Sequence, residues 1–326
     1  MSETLNCPIC GSGDTIIVFS TFDDRYAYPG HFNLLRCGHC AHMFLQGRFT
    51  PEVLQDLYTN YYPRSAMDIA SYRPHMEMSA ARSWLEGAKS GAFRWVPKGV
   101  TVLDIGCGFC ESLGYYKARG CDAYGVEADA NARRIAEQYG FNVQIGLFEA
   151  RLFKPDMFDY VTMSQVIEHV TDPVRTLHEI ATVLKPNGVA ILSTPNASGW
   201  GARLFGKYWI NWHTPYHLQF FSEESITATA KKAGLKVVQT KTVTSSSWII
   251  YQMIHMLDYP APGCPSSYWA KTGIKPNFAK WAIRKVIAAT RLLLIPQMLT
   301  RVMDALSIGD NRIIVLKKDV APQTTP

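Results

Sequence analysis

The sequence predicts an α/β fold built on a parallel sheet with helices on both faces. Strand-like and helix-like segments alternate from residue 100 to residue 242, and this alternation is typical of such a sheet. A glycine-rich turn follows the first strand of the series, and two cysteine pairs precede the series. The 326 residues, 47% of them hydrophobic, suffice for one large domain or two with a sizeable core.

The elements follow from hydrophobic periodicity and from turn and capping residues. Predicted strands are Val100–Ile105, Ala123–Val126, Asn142–Ile145, Phe158–Met163, Val189–Ser193 and Lys236–Thr242. Predicted core helices are Glu111–Ala118, Ala130–Gln138, Pro173–Val183 and Ser222–Lys232. The pattern indicates a helical connector over residues 46–98, with helices at Pro51–Tyr58 and His75–Ser90, and a mostly helical insertion over residues 248–308.

The glycine-rich turn predicts a nucleotide-like ligand. The first core strand runs into Gly106-x-Gly108 and then a helix, so that backbone N–H groups can approach a ligand closely. The second strand ends at Glu127, where a carboxylate can bind both hydroxyls of a ribose. A dinucleotide site would favour a third glycine at the position of Glu111. These features predict a nucleoside-bearing cofactor.

In combination, the motifs resemble those of class I S-adenosylmethionine (SAM) methyltransferases over roughly residues 99–240 and the final strand. The matching segments are Phe158–Val170, Leu184–Asn196 and the turn described above. The resemblance implies a Rossmann-like core (residues 99–247) of seven strands, completed by an antiparallel strand within 309–319 and followed by a tail at 320–326. The residues that it assigns to SAM are Asp104, Gly106 and Gly108 at the methionine end, Glu127 at the ribose, Leu147 and Phe148 beside the adenine, and Gln165 facing cofactor or acceptor. The chain departs from the family at Cys110, where a third glycine is common.

Four N-terminal cysteines predict a structural zinc site. Cys7, Cys10, Cys37 and Cys40 form two C-x-x-C pairs, and two such turns complete a tetrahedron around Zn²⁺. Disulfides are the alternative, disfavoured in a reducing compartment. Residues 1–45 also resemble the N-terminal zinc ribbon of some bacterial sugar and natural-product methyltransferases.

Glu168, His169 and His217 are the candidate catalytic residues. In ubiquinone-biosynthesis O-methyltransferases and small-RNA 2′-O-methyltransferases, a similar E-x-x-E-H motif holds a divalent metal, which here would be Mg²⁺ or a similar ion; Gln165 replaces the first glutamate. A histidine acting as general base and a histidine that only shapes the pocket are the other interpretations.

The favoured function is therefore SAM-dependent O-methylation of a small-molecule, sugar, or carrier- or lipid-linked acceptor. The alternatives are an RNA 2′-O-methyltransferase using a metal at these three residues and a non-catalytic SAM-binding interaction protein. A nucleic acid partner is disfavoured, because Arg203 and Lys207 are the only Lys or Arg residues among the aromatics of Trp200–Phe221. That aromatic segment is predicted to be a lid over the acceptor, or else a hydrophobic plug.

Residues 259–303 contain seven Lys and Arg residues and no Asp or Glu. This composition predicts either contact with an anionic membrane surface or a lid helix with a solvated basic edge. The N-terminus lacks an apolar leader, and no stretch is long enough to span a bilayer. We therefore expect a cytoplasmic protein, with peripheral membrane attachment as an option.

Overall fold

The computed structural model describes residues 6–62, 69–270 and 276–319, which form two sheets with helices around them. The strands are β1 (Thr15–Thr21), β2 (Phe32–Cys37), β3 (Met43–Leu45), β4 (Thr101–Ile105), β5 (Asp122–Glu127), β6 (Asn142–Ile145), β7 (Phe158–Ser164), β8 (Leu184–Pro195), β9 (Gln219–Phe220), β10 (Leu235–Thr242) and β11 (Asn311–Lys318). The α-helices are α1 (Pro51–Asp56), α2 (Ala80–Glu86), α3 (Glu111–Lys117), α4 (Ala132–Tyr139), α5 (Pro173–Val183), α6 (Trp200–Phe205), α7 (Glu223–Lys232), α8 (Ser247–Leu257), α9 (Phe278–Ala289) and α10 (Ile295–Ala305).

The larger sheet confirms the predicted fold class. Its seven strands run in the order β10-β11-β8-β7-β4-β5-β6. Strands β4 to β8 pair in parallel, whereas β11 is antiparallel to both of its neighbours. Because the carboxyl ends of β4, β5 and β7 meet at one edge, the residues that follow these strands are brought together there.

The connector before the core is less helical than predicted. The helix expected over His75–Ser90 is reduced to α2 and a short 3₁₀ turn at Ala88–Ser90. Ser79 caps α2 with its hydroxyl, and His75 bonds instead to the core, where its backbone N–H donates to the Glu111 carbonyl and its ring stacks on Phe93. These tertiary contacts outweigh the local helical pattern.

The smaller sheet joins the cysteine-bearing N-terminus to the core. Its strand order is β1-β2-β3-β9, so its last strand comes from residues 219–220. Beside this junction, His42 and Gln219 form a buried hydrogen bond of 2.9 Å. The expected boundary at residue 45 therefore lies within a shared sheet, and the two units are packed against each other.

The aromatic segment predicted as a lid is largely part of the interior. Trp209, Trp212 and Phe220 pack with Leu34 and Leu45 of the smaller sheet in one buried cluster. A lid would need apolar surface open to an acceptor. This segment instead fits the alternative interpretation of a hydrophobic plug.

Most of the described basic side chains of the segment 259–303 are paired with acids that lie outside this segment. Arg284 donates to Asp258 at 2.8 Å, Arg291 to Glu86 at 2.9 Å, and Arg301 lies 2.8 Å from Asp304. Lys271 and Lys275 lie outside the described residues. The positive charge of these three arginines is therefore compensated by the rest of the chain, and the segment has less free positive charge than its composition suggests.

Candidate active site

The glycine turn and the acidic residue of β5 are in direct contact. The Glu127 carboxylate accepts hydrogen bonds from the backbone N–H groups of Gly108 and Asp129, each at 2.8 Å. Gly106 has a φ of +73°, and a Cβ there would collide with Val166, which follows β7. Glycine is therefore required at this position, where the turn is packed beneath the residues that lead to Glu168.

Asp104 braces the turn from inside. Its carboxylate accepts a 2.7 Å hydrogen bond from the Thr162 hydroxyl and another from the Ser112 hydroxyl. Burial raises the pKa of Asp104 to about 6, although these two hydrogen bonds act in the opposite direction. The side chain thus holds β4, β7 and α3 together, and its expected contact with the methionine end of SAM stays a prediction.

The structure shows the backbone conformation and the contacts of the two residues that depart from the family pattern. Cys110 precedes α3 with a φ of +68°, a conformation that explains why glycine is common there, and its side chain is buried in the core. Gln165 also has a positive φ, and its amide nitrogen donates to Asn311 at 2.7 Å. The Gln165 side chain is therefore directed toward β11.

The residues predicted to flank the adenine differ in exposure. Leu147 is 77% exposed, and Phe148 is half-buried against the core. Both follow β6 at the same sheet edge as Glu127, which pairs with Ile145 in the register of β5 and β6. Leu147 is therefore exposed at the sheet edge where Glu127 lies, and its expected contact with the adenine stays a prediction.

Glu168, His169 and His217 come together as the sequence predicts. One ligand atom from each of the three lies within 4.8 Å of the others. The rings of His169 and His217 are 4.7 Å apart and nearly perpendicular. The chain places them there because a 3₁₀ turn after β7 carries Glu168 and His169, while the Leu218 N–H donates to the Glu168 carbonyl.

Backbone carbonyls orient both imidazoles. His169 Nδ1 lies 2.9 Å from the Tyr216 carbonyl, and His217 Nδ1 lies 2.8 Å from the Asn211 carbonyl. Since a carbonyl can only accept, both Nδ1 atoms carry the proton and both Nε2 atoms offer a lone pair. This arrangement is typical of histidines that bind metals.

The protonation states of the cluster are set by burial. Burial raises the pKa of Glu168 to about 8 and lowers the pKa of His169 to about 4, and it lowers the pKa of His217 well below its usual value. Glu168 Oε2 accepts from the Thr194 hydroxyl at 3.0 Å. Oε1 is buried without a hydrogen-bond partner among the described residues. A cation would satisfy this oxygen and both lone pairs.

A layer of tyrosines lies over the cluster of Glu168, His169 and His217. These tyrosines were not predicted from the sequence to be part of the site. The Tyr216 ring lies 5.4 Å from the ring of Tyr26 and 5.7 Å from that of Tyr58, and Tyr58 Oη lies 3.1 Å from His169 Nδ1. His213 packs beside His217 at 4.9 Å. The only sequence signals were the tyrosine-rich stretch after α1 and the spacing His213-x₃-His217.

The N-terminal unit contributes to this layer through one loop. The buried Asp23 carboxylate accepts from the backbone N–H groups of Arg25, Tyr26 and Tyr28, at 2.9–3.0 Å. These bonds hold Tyr26 against Tyr216, and the Arg25 guanidinium donates to the Ile210 carbonyl at 2.5 Å. The loop after β1 thus packs against the tyrosine layer that lies over the cluster.

The four N-terminal cysteines are arranged as a metal centre. The sulfurs of Cys7 and Cys40 are 3.5 Å apart, as are those of Cys10 and Cys37, and all four lie within 4.8 Å of one another. Four thiolates at about 2.3 Å from one Zn²⁺ would lie roughly 3.8 Å from each other. Burial raises the pKa of Cys37, but hydrogen bonds from the Cys40 and His39 N–H groups and from cysteine thiols together lower it by more. The resulting pKa of about 7 favours a thiolate at Cys37.

The sheet order, the glycine turn and the acid at the tip of β5 define a class I methyltransferase. The sequence profile of a methyltransferase domain matches residues 72–240, more than half of the chain. The chain therefore belongs to this family, and it is a SAM-dependent methyltransferase.

Curated relatives agree with this class. The chain is 27% identical over 190 residues to the ubiquinone biosynthesis O-methyltransferase of Azoarcus sp. (strain BH72), covering 54% of this chain and 78% of that protein. It is 31% identical over 136 residues to the enzyme of the same name from Aeromonas salmonicida, covering 38% of this chain and 54% of that protein.

Solved structures with a similar fold include phosphoethanolamine N-methyltransferase 2 of Haemonchus contortus in complex with SAM. That comparison has a TM-score of 0.48 and 18% identity, and it covers 85% of this chain and 62% of that one.

Within the described residues, no helix is long and apolar enough to cross a membrane.

Proposed function

We propose that this methyltransferase transfers the SAM methyl group to a hydroxyl of a small acceptor, free or carried by a sugar or lipid. The observation that supports this most is the cluster of Glu168, His169 and His217, in which one carboxylate oxygen and two Nε2 lone pairs converge. A hydroxyl is a poor nucleophile until its proton is removed or its oxygen is bound to a cation. The cluster provides for such activation.

A divalent cation at these three residues would act as a Lewis acid and lower the pKa of an acceptor hydroxyl. The residues fit such an ion, because Glu168 Oε1 is buried and has no partner among the described residues. One oxygen and two nitrogen ligands suit Zn²⁺ or Mn²⁺ better than Mg²⁺, which prefers oxygen. A general base has less support, because a histidine with a pKa of about 4 binds protons weakly near neutral pH.

The residues of the chain bind and position SAM and the methyl acceptor. We assign Gly106, Gly108, Glu127, Leu147 and Phe148 to SAM, with Asp104 bracing their turn. The assignment of Gln165 to the cofactor or acceptor has less support, because its amide is bonded to Asn311 of β11. Positioning dominates in-line displacement at a sulfonium, since the leaving group needs no activation. The tyrosine layer excludes water from the reacting centre.

We further propose that residues 99–247 and 309–319 form the SAM-binding core and that residues 1–45 hold a structural zinc. Residues 46–98 connect these two units, and residues 248–308 are an insertion in the core.

An RNA acceptor has less support than a small molecule, because Trp209, Trp212 and Phe220, which could have stacked bases, are buried.

The test is a methyl-transfer assay on fractionated cell extract with labelled SAM, with S-adenosylhomocysteine as the second readout. We expect a labelled small-molecule ether whose formation stops with a chelator and resumes with Mn²⁺ or Zn²⁺. The matched variants are His217→Ala in the cluster and His178→Ala on the exposed side of α5. Product formation that survives both chelation and His217→Ala would contradict the metal assignment, and a labelled amine or carbon centre would contradict O-methylation.

A further inference from the structure

Helix α10 has the reverse of the usual amphipathic arrangement. Its buried residues are Pro296, Gln297, Thr300 and Arg301. Its outward stripe, at helical spacing, consists of Ile295, Met298, Leu299, Val302 and, just beyond its end, Leu306. Surface helices of soluble proteins normally bury the apolar stripe.

Hydrogen bonds stabilise the polar side of α10 against the core. The Arg301 guanidinium donates to the Trp84 carbonyl at 2.8 Å and also to the Thr244 carbonyl, and the Gln297 amide reaches Glu86 at 3.4 Å. This orientation is thus fixed by specific bonds, and rotating the helix would leave a buried arginine unpaired.

The preceding helix and turn add further exposed apolar side chains. Helix α9 has no buried residue and is attached through Arg284 to Asp258, while Phe278, Trp281 and Val286 face outward. In the turn that follows, Leu292 is 85% exposed and Leu293 74% exposed. Monomeric proteins rarely expose contiguous apolar patches larger than a few hundred Å².

We propose that this surface, which comprises α9, the turn 290–294 and the outward stripe of α10, binds the interface of an anionic lipid bilayer. The segment 259–303 contains no Asp or Glu. Lys285, whose Nζ lies 5.8 Å from the Trp281 ring, and Arg291, with 47% of its side chain exposed, border the apolar residues. Aliphatic side chains bordered by tryptophan and basic residues are typical of segments that lie in a membrane surface.

Charge also argues against a second copy of the chain as the occupant. In a two-fold dimer this surface would meet itself, and a segment without Asp or Glu offers no carboxylate to pair with Lys285 of the other copy. Two adjacent leucines at the tip of a turn suit insertion among acyl chains. The inference concerns attachment to lipid and does not depend on the chemistry of the methyl acceptor.

The test is vesicle flotation of the full chain with phosphatidylcholine alone and with added phosphatidylglycerol. We expect binding that is strongest with the anionic lipid and that persists in part at high salt, because apolar burial is not screened. Leu292→Ser/Leu293→Ser should reduce binding at least about tenfold, equivalent to about 1.4 kcal/mol. Ile16→Ser/Ile17→Ser, at two exposed isoleucines of β1, is the control and should bind as the wild type does.

Circular dichroism verifies that each variant is folded, and Met298→Ser/Val302→Ser on α10 provides an independent pair. Absence of wild-type flotation, or equal flotation of both patch variants and the control, would overturn the proposal. So would a wild-type dimer that dissociates on Leu292→Ser/Leu293→Ser, because a second copy would then cover the surface.

Discussion

Replacing Glu168 by glutamine should stabilise the metal-free protein at neutral pH. Burial raises the folded-state pKa of Glu168 from an ordinary 4.5 to about 8. The folded protein therefore keeps this proton between these two values, whereas the unfolded chain releases it. Stability falls as the pH rises through this window, because the folded state binds more protons there.

The size of the effect follows from the same two pKa values. At pH 7 the unfolded chain gains about 3 kcal/mol by ionising a carboxyl of pKa 4.5, at 1.36 kcal/mol per pH unit. Glu168→Gln cannot ionise, and its carbonyl can still accept from the Thr194 hydroxyl. The variant should gain up to about 3 kcal/mol at pH 7 and less than about 1 kcal/mol at pH 5.

Urea unfolding in the presence of a chelator measures this gain, with Glu137→Gln on the exposed side of α4 as the control. Mn²⁺, which thiolates bind poorly, should then stabilise the wild type, by about 2.7 kcal/mol at a hundredfold excess over its Kd, but not Glu168→Gln. Equal stability of variant and wild type at pH 7 would refute the protonated buried acid. Equal stabilisation of both by the cation would refute Glu168 as a ligand.

Three further predictions concern the two metal sites and the cofactor. Purified protein should contain about one zinc per chain, and Cys37→Ser should lose it and unfold more readily, as seen by metal analysis and circular dichroism. Glu127→Ala should weaken SAM binding about tenfold to hundredfold by calorimetry, unlike Asp122→Ala at the other end of β5. His217→Ala should lower Mn²⁺ affinity by about a hundredfold or more, measured by electron paramagnetic resonance, because losing a ligand exceeds the roughly 10–100-fold effect of losing an outer partner.

Elements with strong periodicity and clear end signals could be predicted from the sequence alone. Strand β4 and helix α5 match their predicted positions to within one residue, and the antiparallel pairing of the final strand with β8 agrees with the family resemblance. The proximity of Glu168, His169 and His217 could also be predicted from the sequence, because two of them share one turn and the family resemblance indicated the third.

Features that depend on tertiary contacts could not be predicted in this way. The pattern of His75–Ser90 looked helical, but His75 is bound to the core. The contact between Tyr26 and Tyr216 joins segments distant in sequence, and its local pattern carries no sign of it. The pairing of Arg284 with Asp258 depends on an acid just outside the counted segment, so that a count of charges within fixed limits overstated the free positive charge.

The pairing of β3 with β9 has a consequence for folding during synthesis. The bond between His42 and Gln219 joins residues 177 positions apart. At about 5–20 residues per second, the ribosome needs roughly ten to forty seconds to supply the second partner. During that interval the cysteine-bearing unit has an unpaired strand edge and an uncovered apolar face, both of which favour aggregation until the core is synthesised.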